Sequence, residues 1–315
     1  MQTEKTILVT MLNKHILDRM MDFNQNHNLK IGNAPCSWGV FYPENNSLKY
    51  DKYLKKISEI GYNYSELGPL GYFNEETIII KDFLIKFNIQ ISGATHVHSF
   101  TNLSLFDKLR LDVNKISNIL LDLNSTNLIL MDDSEFYPKN YKEKIESGDW
   151  DKIMKNIIEI QTIVENEYGL KIHFHPHVGT SIEYEHQIDK LLNDTNISLC
   201  FDTGHHAFWN QDPLSYLKKV IDRVGYIHLK NVNDFIRQQV WNRKISIEQS
   251  YDMGVMSPLE NGYVNILNII TFLLKNEFNG FCIIEQDPEN TVEFNPDTLA
   301  KNNLSFVEKI INEYK

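Results

Sequence analysis

One repeating texture constrains this chain more than any motif in it. A short run rich in β-branched and aromatic residues is followed by a longer stretch with helical period, and the pair recurs eight times after Lys30. The first four runs are "KIGNAPCSWGV" (30–40), "YNYSELG" (62–68), "IQISGATHVHSF" (89–100) and "TNLILMDD" (126–133). The last four are "LKIHFHPHVGT" (170–180), "NISLCFDTGHHAF" (196–208), "GYIHLKNV" (225–232) and "FCIIEQD" (281–287). Eight strands alternating with helices predict an α/β fold, the (β/α)8 TIM barrel. The competing doubly wound sheet lacks its GxGxxG turn after the first run. No linker or low-complexity tract divides the chain. A single barrel is therefore expected over 30–315, preceded by a short helical extension over 1–29.

Composition narrows the partners. With 31 basic and 42 acidic side chains the net charge is −11, which argues against nucleic acid as a partner and leaves a small molecule. The three cysteines, Cys36, Cys200 and Cys282, are odd in number, widely spaced and set in apolar runs. They read as small core residues of a protein from a reducing compartment. The N-terminus lacks a signal-peptide pattern, and no stretch is long and apolar enough to span a membrane. A cytoplasmic protein is the expectation, with homo-oligomers left open.

In a barrel of this kind chemistry gathers where the strands end. Side chains alternate faces along a strand, so residues two apart share one. His173, His175 and His177 do so in the fifth run, Asp202 with Ser198 and Cys200 in the sixth, His228 and Lys230 in the seventh, and Glu285 and Asp287 in the eighth. Glu66 ends the second run, and His96 and His98 the third. Carboxylates and imidazoles crowded onto one rim stay poorly paired without a cation. Mixed N and O donors suit Mn²⁺, Co²⁺, Fe²⁺ or Zn²⁺. The expected ligands of one divalent ion are His175, Asp202, His228 and Glu285, with His177 able to take the place of His175.

Blander readings stand beside these. His173 reads as a hydrogen-bonded core residue and His206 as structural or supporting. Asp132 and Asp133 are candidate caps of the next helix. Trp38 and Tyr72 are either core or a platform for substrate.

The motifs "CFDTGHHAF", "YIHLKNV", "MSPLENGYVNI" and "GFCIIEQDPE" resemble the xylose-isomerase-like TIM-barrel superfamily of sugar isomerases and epimerases. Within it, "HFHPHVGTSIE" and "EQDP" are similar to myo-inosose-2 dehydratases, and "NAPCSWGVF" to sugar-phosphate isomerase-like members. The resemblance covers nearly the whole chain from about Lys30. It implies one divalent metal, Mn²⁺ or Co²⁺ first and Zn²⁺, Fe²⁺ or Mg²⁺ next, at positions that Asp202, His228 and Glu285 match. Ketose epimerases of this group carry a glutamate in the fifth strand. His175 stands there instead, which favours the dehydratase branch. Asn231 replaces the usual aspartate of H-x-K-D, and Asn261 a common glycine.

The chemistry implied is proton removal beside a carbonyl, followed by loss of water from a keto-polyol or keto-cyclitol. Isomerisation or epimerisation of a sugar or sugar phosphate is the alternative. His177 and His205 are the expected acid/base or hydroxyl-contacting residues, and Glu66 and Lys230 are expected to bind hydroxyls or move protons. Trp38, His98 and Arg237 are expected to touch substrate. The connection from Asn233 to Gly262 is long enough to serve as a lid. Two rival readings remain: an abasic-site endonuclease, which the acidic charge disfavours, and a non-catalytic sugar-binding relative, which rests on the Asn231 departure.

Overall fold

A computed structural model describes residues 28–73, 76–100, 102–132, 147–289 and 295–314. In chain order the strands are β1 (Leu29–Asn33), β2 (Tyr64–Glu66), β3 (Gln90–His98), β4 (Asn127–Asp132), β5 (Lys171–Phe174), β6 (Ser198–Asp202), β7 (Val224–Leu229), β8 (Asn231–Val232), β9 (Met256–Ser257) and β10 (Gly280–Ile284). The helices are α1 (Tyr50–Ile60), α2 (Thr77–Phe87), α3 (Phe106–Asp122), α4 (Ser147–Tyr168), α5 (Glu185–Asp194), α6 (Thr203–Phe208), α7 (Pro213–Val220), α8 (Asp234–Trp241), α9 (Ile247–Asp252), α10 (Ile266–Lys275) and α11 (Pro296–Glu313).

Strands β1 to β7 and β10 run parallel and close into a barrel in the order β1-β10-β7-β6-β5-β4-β3-β2. The expected (β/α)8 architecture is therefore present. Most of the expected N-terminal helical extension lies outside the described residues; of its last residues, Leu29 opens β1. Among the described residues no helix is long and apolar enough to cross a membrane.

The core has two parts because barrel strands have two faces. Outward-facing residues such as Leu128, Ile172, Leu199 and Ile227 pack under the helices. Helix α1 shows why they are covered: Tyr50, Tyr53, Leu54 and Ile57, at helical spacing, form its buried stripe. Ala34, Ile129, Cys200, Tyr226 and Ile283 fill the barrel interior as a separate cluster. Below the mouth, His173 is buried between Ser198 Oγ at 2.6 Å and Asn127 Oδ1 at 3.1 Å. It is the satisfied core histidine its place in the run suggested.

Two departures bear on function. The pairing of β2 with β3 matches Ser65 to Ile91 but Glu66 to Gly93, skipping Ser92. Such a bulge flips every later side chain to the other face. Thr95 consequently faces the interior, where its Oγ1 donates to Glu66, whereas His96 and His98 turn towards the helix layer. The second departure is the 233–262 connection. It is a folded excursion, with α8 and α9 inside an antiparallel pairing of Asn231 with Ser257 and Val232 with Met256.

Candidate active site at the C-terminal mouth of the barrel

Strands β5, β6, β7 and β10 end side by side, and their last inward residues meet. Asp202 closes β6 and is also the N-cap of α6. Its Oδ1 accepts from the backbone N–H of Gly204 at 2.7 Å and of His205 at 2.8 Å. Capping is the ordinary use of aspartate at a helix start, and here it orients the carboxylate and leaves Oδ2 free. Gly204 is required at this turn, since a β-carbon would fall 2.8 Å from Lys230 Cβ. Thr203 ties the two strands together, donating from Oγ1 to Lys230 O at 2.6 Å.

His228 reaches across the mouth. Its Nε2 donates to Glu66 Oε1 at 2.7 Å. Its Nδ1 lies 3.5 Å from Glu285 Oε2 and 3.9 Å from Asp202 Oδ2; burial opposes charge on this ring, but the carboxylates around it, Glu285 and Glu66 among them, help hold it well above the usual imidazole range. Lys230 Nζ lies 2.9 Å from Asp287 Oδ2, 3.0 Å from Glu285 Oε2 and 3.1 Å from His205 Nε2. The His175 ring stands 4.8 Å from that of His228 and 5.5 Å from those of His177 and His205. The His177 and His205 ring centres are 3.7 Å apart. His177 commits Nδ1 to the carbonyl of Val178 at 2.9 Å. Its Nε2 therefore carries the lone pair.

Burial and charge divide the ionisable groups into two kinds. Burial, reinforced by Lys230, holds His177 down to about 3, and burial also holds His175 and His205 well below the usual imidazole range. These rings are neutral at physiological pH. Burial alone would also discharge Lys230, but Asp287, Glu285 and Asp202 outweigh it and keep the ammonium. Burial opposes ionisation of Glu285 as well, yet His228 and Lys230 hold it down to about 2. Asp202, more deeply enclosed, is pushed up to about 6 by burial.

The donor set fits a divalent cation. Asp202 Oδ2, His228 Nδ1 and His175 Nδ1 are buried without a hydrogen-bond partner. Such atoms are costly unless something pairs with them. Four buried carboxylates, Glu66, Asp202, Glu285 and Asp287, face one ammonium and at most one imidazolium. At least two negative charges are left over, which a divalent ion would offset. Ligand atoms of Glu66, His228 and Glu285 lie within 4.8 Å of one another, as do those of His175, Cys200 and His228, and those of His175, His177 and His205. These groupings share His175, His228 and Glu285 with the expected quartet and add residues it lacked.

Several expectations are corrected. His98 does not reach the mouth, because the β3 bulge turns it outwards; its Nε2 lies 3.1 Å from Leu105 O and its ring stacks on His96. Arg237 is on α8, buried, with its guanidinium spent on Ala207 O, Asn210 Oδ1 and Asp234 and lying over the Tyr263 ring. It ties the excursion to α6 rather than closing over substrate. Trp38 donates to Asp297 Oδ1 at 2.7 Å and packs edge-on to Tyr53, contacts that belong to the helix layer. Glu66 is engaged by His228 and Thr95 rather than left free for hydroxyls.

Asp132 pins two loops, accepting from the N–H groups of Phe100 and Ser181; Asp133 lies outside the described residues. Tyr72 is core, with its OH on Leu48 O. His206 is buried and stacked on Tyr216. Asn231 is a structural clip: its amide donates to Leu259 O and Val264 O and accepts from the N–H groups of Val232 and Val264. Its departure from the family pattern therefore gives no ground for a protein without chemistry.

Three residues at the mouth, Cys36, Cys200 and Tyr251, were not expected there. Asp287 was placed on the face of Glu285 but given no role. Cys36 and Cys200 looked like core, but Cys36 lies close enough to Glu285 to help hold its carboxyl down and Cys200 lies against His228. Burial pushes both thiols up, Cys200 to about 12, so neither is a thiolate. Tyr251 sits on α9, not on a barrel strand, and strand alternation says nothing about it.

Comparison with known proteins agrees with this geometry. The sequence model of the xylose isomerase-like TIM barrel family matches residues 54–310. Inosose dehydratase 1 of Bacillus cereus is 27% identical over 277 residues, covering 82% of this chain and 91% of that protein. The probable 3-DHS dehydratase AsbF of Bacillus anthracis superposes with a TM-score of 0.70 at 14% identity, covering 89% of this chain and 98% of that one. The IOLI protein, solved with a bound zinc atom, superposes at 0.68 with 13% identity, covering 91% and 99%. With most of its barrel matched and the fold shared throughout, the chain belongs to the xylose isomerase-like TIM barrel family.

Proposed function

We propose that the protein is a divalent-metal-dependent lyase that removes water from a keto-cyclitol or keto-polyol. The observation that carries this reading is the pairing at one mouth of a neutral imidazole, His177, with a lysine held charged, Lys230. A group in the state to accept a proton beside one in the state to donate one is what an elimination needs. The inosose dehydratase names of the relatives support the substrate class.

Asp202, His228, Glu285 and His175 would hold the ion. When bound, it supplies Lewis-acid stabilisation of the negative charge that develops on the substrate carbonyl oxygen. Zinc in one structural neighbour and magnesium in another support a divalent ion, and the N and O donors suit Mn²⁺ or Co²⁺. Glu66 fixes the His228 ring so that Nδ1 faces inwards. His177 Nε2 takes the α-proton. Lys230 Nζ gives a proton to the departing β-hydroxyl, which leaves as water while the carbon–carbon double bond forms. His205 lies between the two, 3.1 Å from Lys230 Nζ, and offers a short path for the proton to return.

The test is incubation of the Mn²⁺-loaded protein in D₂O with a panel of keto-cyclitols and keto-polyols, followed by NMR. Olefinic or dione product is expected, and its loss in Lys230→Met. Deuterium exchange with neither product nor loss of water would favour an epimerase. No exchange with any substrate would overturn proton abstraction.

A further inference from the structure

Tyr251 lies on α9, inside the excursion that follows β7. Its hydroxyl oxygen is buried and has no hydrogen-bond partner. It lies within electrostatic reach of Asp287, Lys230, Asp202 and Glu285, the acid end of the site. A buried hydroxyl without a partner costs free energy, and a fold retains one where something else supplies the missing bond.

The helix that carries Tyr251 is built to stay in place. Ser246 and Gln249 form a reciprocal capping box at its start. Ser250 is fully buried and donates to Ile247 O. Gly254 follows with φ +80°, a left-handed turn that favours glycine, and the Glu289 side chain from the segment after β10 reaches over it. Gln286, between Glu285 and Asp287, donates to Met256 O at 2.6 Å and joins that segment to the excursion. Asn233 N adds a 2.7 Å bond to Val255 O. A phenol on such a frame has a fixed position relative to Lys230 and Asp287.

We infer that Tyr251 is a specificity-determining residue whose hydroxyl hydrogen-bonds a ring hydroxyl of the substrate on the side where Lys230 delivers its proton. The phenol both donates and accepts, so it matches a secondary alcohol and not a methylene. A site built around such a bond discriminates strongly against the analogue that lacks the hydroxyl, because the phenol is then left unpaired. The inference rests on the keto-cyclitol reading above.

The experiment compares wild type with Tyr251→Phe, both loaded with Co²⁺. Binding is measured by calorimetry with a keto-cyclitol lacking the leaving hydroxyl, which binds without dehydrating, and with analogues each lacking one further hydroxyl. Tyr251→Phe is expected to weaken binding of the parent about 10- to 100-fold. One analogue is expected to bind wild type and variant equally. The melting temperature is expected to hold or rise, since the lost hydroxyl had no partner, and the Co²⁺ absorption spectrum is expected to be unchanged. Equal binding of the parent by both proteins would overturn the assignment. So would a uniform loss across all analogues with a lower melting temperature, the mark of a structural role. Failure of wild type to bind any keto-cyclitol would instead overturn the substrate class, and the assignment with it.

Discussion

Glu66 and His228 are 162 positions apart in the chain, yet Glu66 Oε1 accepts a 2.7 Å hydrogen bond from His228 Nε2. The bond spans the barrel mouth from β2 to β7. It fixes a proton on Nε2 and turns Nδ1 towards Asp202 and Glu285.

Glu66→Gln keeps one acceptor oxygen for His228 and turns its NH2 to Thr95, whose hydroxyl can accept, but it removes the charge. Carboxylates that orient a ligating histidine contribute about 10- to 100-fold to metal affinity. Metal affinity, measured by competition with a chelator, is expected to fall by that factor while the melting temperature of the metal-free protein changes little.

Metal should also stabilise the fold, because the ion neutralises a cluster that is net negative and otherwise leaves buried atoms unpaired. At a free concentration about 100 times Kd, linkage gives about 2.7 kcal/mol. Addition of Mn²⁺ is expected to raise the melting temperature, EDTA to reverse it, and Asp202→Ala to abolish the response. A melting temperature indifferent to divalent ions would count against the site.

Acid should weaken the fold over the range in which its buried histidines resist protonation. Burial holds His96 down to about 4 and His206 to about 3. In the unfolded chain both titrate near about 6.5. Between those values the unfolded chain binds protons that the folded one refuses, so stability falls as pH drops from about 6.5 towards about 4. Denaturant midpoints measured at intervals over that range are expected to decline steadily. His206→Gln is expected to make the slope shallower by about one proton.

Asn231→Asp tests the clip. The carboxylate cannot donate to Leu259 O and Val264 O, which the amide now satisfies. Leaving buried carbonyls facing a charge costs about 2–3 kcal/mol. Urea titration at neutral pH is expected to show that loss.

The eightfold alternation of strand and helix was enough to determine the barrel, because side-chain period and segment length leave few other ways to bury these faces. Alternation within each strand likewise put Asp202, His228, Lys230 and Glu285 on inward faces, and those four do meet at the mouth. Tertiary structure decided the rest, since it depends on events that no local pattern records. A skipped residue at Ser92 turned His98 away from the centre and set Thr95 against Glu66. The folding of the excursion spent Arg237 on α6 and brought Tyr251 to the site. Closure of the ring carried Cys36, just beyond β1, to Glu285 and Glu66 from β2 to His228, contacts between residues far apart in the chain. Register slips and ring closure are set by packing across the whole barrel, so they become visible only once the strands are in place.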